Sequence, residues 1–144
     1  MMKKSSGPDM DCKLRTKNAL SLWIRQRHYV EIDCTAGKAA EQMNMSSLQL
    51  KWYLREEERT TFGKLKKELR MKDAACLLLM KPGLPVSLVG RLVGECDRAN
   101  FRRDFKSVMG TYPVNYRKRY PILRLVLLCT RPDLRQVLRR HQLL

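Results

Sequence analysis

Histidine and acidic residues are scarce in this chain, and each shortage narrows the possible functions. Two histidines, His28 and His141, are all it has, and its five cysteines (Cys12, Cys34, Cys76, Cys96, Cys129) never come as CxxC. No metal-ligand spacing results, so neither a metal nor any other cofactor is expected. Without Cys–His or carboxylate pairing and without a Gly-rich phosphate loop, no reaction can be assigned, and the chain does not read as an enzyme. An odd number of scattered cysteines fits a reducing cytoplasm, each acting as a small apolar residue. No segment approaches the roughly 20 apolar residues of a membrane span. The N-terminus MMKKSSGPDMDCK is basic but lacks the apolar core of a signal peptide. No membrane partner is therefore expected.

The shortage of acid says most. Fourteen Asp and Glu stand against 30 Lys and Arg, a net charge of +16 over 144 residues. On charge alone such an excess favours a polyanionic partner, nucleic acid first and an anionic membrane surface second; a merely basic soluble protein is the plain alternative. The charge is also uneven: from Arg98 to Leu144 there are twelve basic and two acidic residues, +10 of the total. The 44% apolar share suffices for a core, and the length allows one ordinary domain or two very small ones.

What is present is helical periodicity. Residues 1–13 read as a disordered tail, and Leu20, Trp23 and Ile24 place a first helix from Leu14 to about Val30. Thr35 can cap the short AGKAAEQM helix. Ser46 followed by Gln49 matches a capping box, opening a helix whose buried stripe is Leu50, Tyr53 and Leu54. A long helix over about 62–80 ends before KPGLP, which no helix crosses easily. VSLVGRLVGE follows, with Gly94 as its C-cap candidate. Asp97 caps RANFRRDFKSVM, with Phe101, Phe105 and Val108 inward, and GTYP stops it. Pro121 and Pro132 each suit the start of a short helix in an extension over 121–144. There Leu134, Val137 and Leu138 form an apolar edge beside Arg135, Arg139 and Arg140, which either packs back on the domain, meets a second chain, or grips phosphate. Nothing reads as a strand, so the fold class is all-α.

Two of these pieces repeat. Ser46–Arg55 laid over Asp97–Lys106, a shift of 51, matches cap to cap, Leu50 to Phe101, Leu54 to Phe105, Lys51 to Arg102 and Arg55 to Lys106. A short helix with small residues precedes each copy, Ala39-Ala40 in one and Gly90 in the other. Small residues let two helices approach closely at a steep angle, as a helix-turn-helix requires. With Phe101, Phe105 and Val108 inward, 100° per residue puts Ala99, Arg102, Arg103 and Lys106 on the opposite face and Arg98 on the flank. The same arithmetic exposes Leu48, Lys51, Trp52 and Arg55 in the first copy. Arg pairs bidentately with guanine, and Ala or Leu can sit against a thymine methyl. A surface helix that only touches phosphates or solvent would show the same pattern.

The stretch from NMSSLQLKWYLREEER through RMKDAACLLL to VSLVGRLVGECDRANFRRDFKSVMGTYPVNYR resembles the DNA-binding domain of AraC/XylS-type bacterial transcription regulators. The resemblance spans roughly Leu20 to Arg119. It is most specific at Gly94, Phe101, Arg103, Phe105-Lys106, Gly110, Pro113 and Tyr116-Arg117, and the Arg70-Met71 pair suits the family's linker helix. It implies a domain over 14–120 with helix-turn-helix unit one at about 35–59, a linker helix at about 62–80 and unit two at about 86–109. Each unit would place its second helix in successive major grooves of double-stranded DNA. Base-reading candidates are then Leu48, Lys51 and Trp52, and Arg98, Ala99, Arg102 and Arg103. Phosphate candidates are Ser46, Arg55, Lys106 and Arg117.

The departures are Trp52 where the family usually has Arg, Glu95 where it has Phe, Asn44 for a turn glycine, and Gly90 for Ala. The run Glu56-Glu57-Glu58 would repel phosphates, so unit two is expected to supply more of the specific binding. The resemblance to short, stand-alone members implies a cytoplasmic bacterial regulator, most simply a monomer or a tail-mediated dimer, working with RNA polymerase as an activator or by blocking it. Fewer than 20 residues precede the first helix, so no small-molecule effector is expected. A non-specific or degenerate nucleic-acid binder and a protein-interaction adaptor remain alternatives.

Overall fold

The computed structural model describes residues 9–119 and 123–143. Its regular elements are α1 (Met10–Arg25), a 3-10 turn (His28–Val30), α2 (Ala36–Gln42), α3 (Ser47–Glu56), α4 (Phe62–Met80), α5 (Val86–Leu92), α6 (Arg98–Met109), α7 (Pro113–Arg119), α8 (Leu123–Thr130) and α9 (Pro132–Arg140). Among the described residues there is no strand, and the fold is all-α. The chain divides into two compact units: unit one is Met1–His28 with Asp33–Lys64, and unit two is Tyr29–Ile32 with Leu65–Leu144.

In unit one, α1 begins four residues before the periodicity places it. The Asp9 carboxylate accepts from the Cys12 N–H at 2.9 Å and so caps a helix that starts at Met10. Residues 10–13, read as tail, are therefore helical, while 1–8 lie outside the described residues. The helix also ends sooner, at Arg25, and Arg27 at φ +56° turns the chain into the 3-10 turn. Leu20 and Trp23 of α1 are buried with Ala39 and Ala40 of α2, Leu50, Tyr53 and Leu54 of α3, and Phe62. The Trp23 indole N–H donates to Gln42 Oε1 at 2.8 Å, and its ring lies 5.8 Å from that of Phe62. Burying each of the larger apolar side chains stabilises the unit by about 1.5–3 kcal/mol.

The core of unit two takes Met71, Ala74, Leu77 and Leu78 from α4, Val89 from α5, Phe101 and Phe105 from α6, and Leu134 and Leu138 from α9. The extension therefore packs back on its own unit, and its apolar edge is consumed there rather than left for a second chain. Pro132 stands in the first turn of α9, where a missing N–H costs nothing. Pro121 lies outside the described residues.

A polar network runs beneath this core. Arg70 and Asp73 of α4 are both buried, and charges in that setting persist only when paired and hydrogen-bonded. Arg70 donates to the carbonyls of Tyr29 at 2.6 Å and Glu31 at 2.8 Å. Asp73 accepts from the Tyr29 hydroxyl at 2.5 Å and from Arg131 at 2.9 Å. Arg131 also meets Asp133 at 2.8 Å; that hydrogen bond first, then Asp73, holds the guanidinium protonated against its burial.

Candidate nucleic-acid interface

Both units build their turn from the same backbone motif. After α5, Gly94 N–H donates to the Arg91 carbonyl and Glu95 N–H to Gly90; after α2, Asn44 N–H donates to Glu41 and Met45 N–H to Ala40. These are paired Schellman bonds, which need a left-handed residue just past the helix. Gly94 supplies it at φ +94° and Asn44 at φ +56°, so asparagine replaces glycine in unit one without changing the motif. Ala40 and Gly90 are 50 residues apart, whereas the caps Ser46 and Asp97 are 51 apart. Unit two therefore carries one extra residue between turn and cap, and Cys96 stands exposed there.

The glycines of unit two also answer to close packing. A Cβ on Gly90 would lie 3.0 Å from the Glu95 carbonyl oxygen and 3.1 Å from Phe101 Cγ, and one on Gly94 would lie 2.5 Å from the Val30 carbonyl oxygen. Asp97 accepts from the Asn100 N–H at 2.8 Å and starts α6. Phe101 and Phe105 are buried, and Phe105 meets Tyr116 of α7 edge-on at 5.5 Å. Arg98, Ala99, Arg102, Arg103 and Lys106 all lie exposed on α6. This anchored helix thus carries four cations around a small alanine.

Within that row the cations are held differently. Arg103 donates to Asn100 Oδ1 of its own helix. Arg102 and Lys106 instead lie over the Tyr112 ring, 4.8 and 4.6 Å from its centroid. Tyr112 is absent from the sequence-derived candidates; its only signal is an aromatic two residues after the Gly110 stop. Arg117, a phosphate candidate, is turned inward: it donates to the Leu84 carbonyl, its Nε is buried without a hydrogen-bond partner, and burial pulls its pKa down.

In unit one, Ser46 accepts from Gln49 N–H at 3.1 Å, so its hydroxyl serves as the cap of α3. The expected capping box is only half formed. The Gln49 side chain is turned instead to α1, where its Nε2 donates to Thr16 Oγ1 at 2.9 Å and to Cys12 Sγ at 3.2 Å. Leu48, Lys51 and Arg55 are exposed, Leu48 at 78%. Trp52 is half-buried, with Lys13 Nζ 5.6 Å from its ring centroid. The three acids that follow are each engaged: Glu57 by Lys13 at 2.9 Å, Glu56 by Arg55 at 2.9 Å, and Glu58 by the Tyr53 hydroxyl at 3.3 Å. Two of the three carboxylates thus sit beside a cation, and Lys13, also absent from the sequence-derived candidates, is the residue beside both Trp52 and Glu57.

Two units of the same turn, each followed by a capped helix with an exposed basic face, define a double helix-turn-helix protein. A family model described as "Helix-turn-helix domain" matches residues 39–119, more than half of the chain. The chain belongs to this family, the AraC-type helix-turn-helix domains of DNA-binding transcription regulators. Among solved structures it is 29% identical to the C-terminal domain of AraT, a response regulator from Geobacillus stearothermophilus, with a TM-score of 0.63 over 72% of this chain and 84% of that one. The C-terminal domain of the two-component response regulator yesN from Fusobacterium nucleatum is 25% identical, with a TM-score of 0.60 over 69% and 98%. A DNA-binding transcriptional dual regulator from Escherichia coli K-12 shares the fold at 24% identity, with a TM-score of 0.59 over 81% and 96%. A search of curated proteins found no match.

Proposed function

We propose that the chain is a sequence-specific regulator that inserts α6, and more weakly α3, into successive major grooves of a promoter. The observation that carries this reading is the exposed row Arg98, Ala99, Arg102, Arg103 and Lys106 on a helix fixed from behind by Phe101 and Phe105. A rigid backing places side chains reproducibly, which base reading needs and simple charge attraction does not. In this reading Arg98, Arg102 and Arg103 face base edges and Ala99 a thymine methyl, while Lys106 faces phosphate. Leu48, Lys51 and Trp52 read from α3, with Arg55 and Ser46 near the backbone.

Unit one is the weaker reader because Trp52 is partly covered by Lys13. Arg117 contributes through the fold, by holding the Leu84 loop, before it contributes to phosphate. The protein acts in the cytoplasm, and its output is recruitment or exclusion of RNA polymerase.

Selection on random DNA followed by sequencing tests this. An enriched bipartite motif with half-sites about one duplex turn apart is the expected result. Retention of DNA with no enriched motif and a steep salt dependence would replace this reading with non-specific binding.

A further inference from the structure

Tyr112 sits where α6 ends and α7 begins, and its backbone is fixed on both sides. Gly110 ends α6 in the left-handed conformation, φ +84°, with nothing within 4 Å of where a Cβ would stand. The glycine is therefore required by the turn and not by crowding. Two residues later the Tyr112 carbonyl accepts the first bond of α7, from Tyr116 N–H at 3.0 Å, and Pro113, the next residue, is buried. The Tyr112 ring itself is 37% exposed and lies against the outer face of α6.

Building on the DNA-reading role proposed above, we infer that Tyr112 is a positioning residue for that face: its ring pre-orients Arg102 and Lys106 before DNA arrives. Arg102 Cζ lies 4.8 Å and Lys106 Nζ 4.6 Å from the same ring centroid. The two cations stand one helical turn apart, so a single aromatic face restrains both. This mode of restraint suits a reader. A cation held over a ring spends no N–H on its partner, so the donors of the Arg102 guanidinium stay available for a base edge. Arg103 contrasts, because it commits a donor to Asn100.

Two grooves flank the ring. One of about 490 Å³ is lined by Val86, Phe101, Pro113 and Val114 with Arg98 and Arg102, and the other carries Ala99, Arg103 and Lys106. Arg102 and Tyr112 line both grooves. The pair therefore stands between the groove that carries Arg98 and the one that carries Ala99, Arg103 and Lys106. Arg102, rather than Arg103, is thereby assigned as the principal base reader of unit two.

The full-length chain is compared with Tyr112→Phe and Tyr112→Leu. In the free protein, the Arg102 δ and Lys106 ε protons are expected at upfield-shifted positions from the aromatic ring current. These shifts persist in Tyr112→Phe and vanish in Tyr112→Leu. On the selected site, Tyr112→Leu weakens binding about three- to tenfold through the lost restraint and Tyr112→Phe restores it, while binding to scrambled DNA falls by clearly less, through Lys106 alone, and the melting temperature stays near the original.

Absent ring-current shifts in the unaltered protein would overturn the inference. So would unchanged site affinity in Tyr112→Leu, or an equal loss in Tyr112→Phe, which would assign the effect to the hydroxyl. A fall in melting temperature with parallel losses on both DNAs would make Tyr112 merely structural. If the unaltered protein selects no site, the DNA-reading proposal fails separately, and the ring-current shifts still decide whether Tyr112 fixes the two cations.

Discussion

At the scale of single residues, the outer face of α6 separates into roles that mutation can tell apart. Arg102 has its donors available and Lys106 is a point charge one turn further on. Arg102→Ala is expected to cost about 1–3 kcal/mol on the selected site and to relax preference at one base position. Lys106→Ala should weaken all sequences alike and reduce the salt slope by about one. Titrations at several salt concentrations check both, and identical behaviour of the two variants would remove base reading from Arg102. The cysteines provide an independent probe. Cys96 and Cys129 are exposed, whereas burial above all pushes the Cys76 thiol up. The thiolate is the reactive form, so at neutral pH Cys96 and Cys129 should label quickly while Cys76 lags until the protein unfolds. Mass spectrometry of the labelled peptides gives the order.

At the scale of elements, the two left-handed glycines of unit two make a controlled comparison. Both would impose roughly 1–2 kcal/mol of backbone strain on an alanine. Gly94 adds the 2.5 Å approach of the Val30 carbonyl, whereas Gly110 has open space. Gly94→Ala should therefore destabilise well beyond Gly110→Ala in denaturant titrations, and equal effects would show that the turn does not approach Val30 so closely. Asp97→Ala should cost about 1 kcal/mol through loss of the α6 cap. The caps at Thr35, Ser46 and Asp97 were legible because each bond joins residues three apart. The second half of the Ser46–Gln49 box was not, since Gln49 is drawn to a helix 33 residues earlier in the chain. The early start of α1 was missed for a simpler reason: a lone Asp9 before a polar run carries no apolar period to announce a helix.

At the scale of the molecule, the C-terminal extension is part of unit two and not an appendage. Leu134 and Leu138 lie in its core, and Arg131 completes the buried Asp73 site. Leu138→Ala is expected to destabilise unit two by about 2–5 kcal/mol. Ending the chain after Thr130 should remove the Arg131 contact from Asp73 and open the core, with loss of helical signal by circular dichroism and of DNA binding. Wild-type-like binding by that truncated chain would show that α9 is dispensable. The net charge of +16 acts at this scale too: it strengthens binding to any DNA and makes that binding fall steeply with salt, while distinguishing no sequence.

By itself the sequence determined the helical class, the repeated unit, the buried stripes and the basic face of α6. All of these are written in patterns three or four residues apart, which a helix converts directly into one side or the other. Tertiary structure alone decided which polar side chains remain on the surface. Arg117 is turned toward Leu84, 33 residues away, and Arg131 toward Asp73, 58 residues away. Lys13 crosses to Trp52 and Glu57, and Tyr112 folds back under Arg102 and Lys106. The physical reason is shared by all four: a charged side chain settles beside whichever partner packing brings near it, and for Arg117, Arg131 and Lys13 that partner is remote in sequence, while for Arg102 and Lys106 it lies beyond a turn that periodicity does not describe.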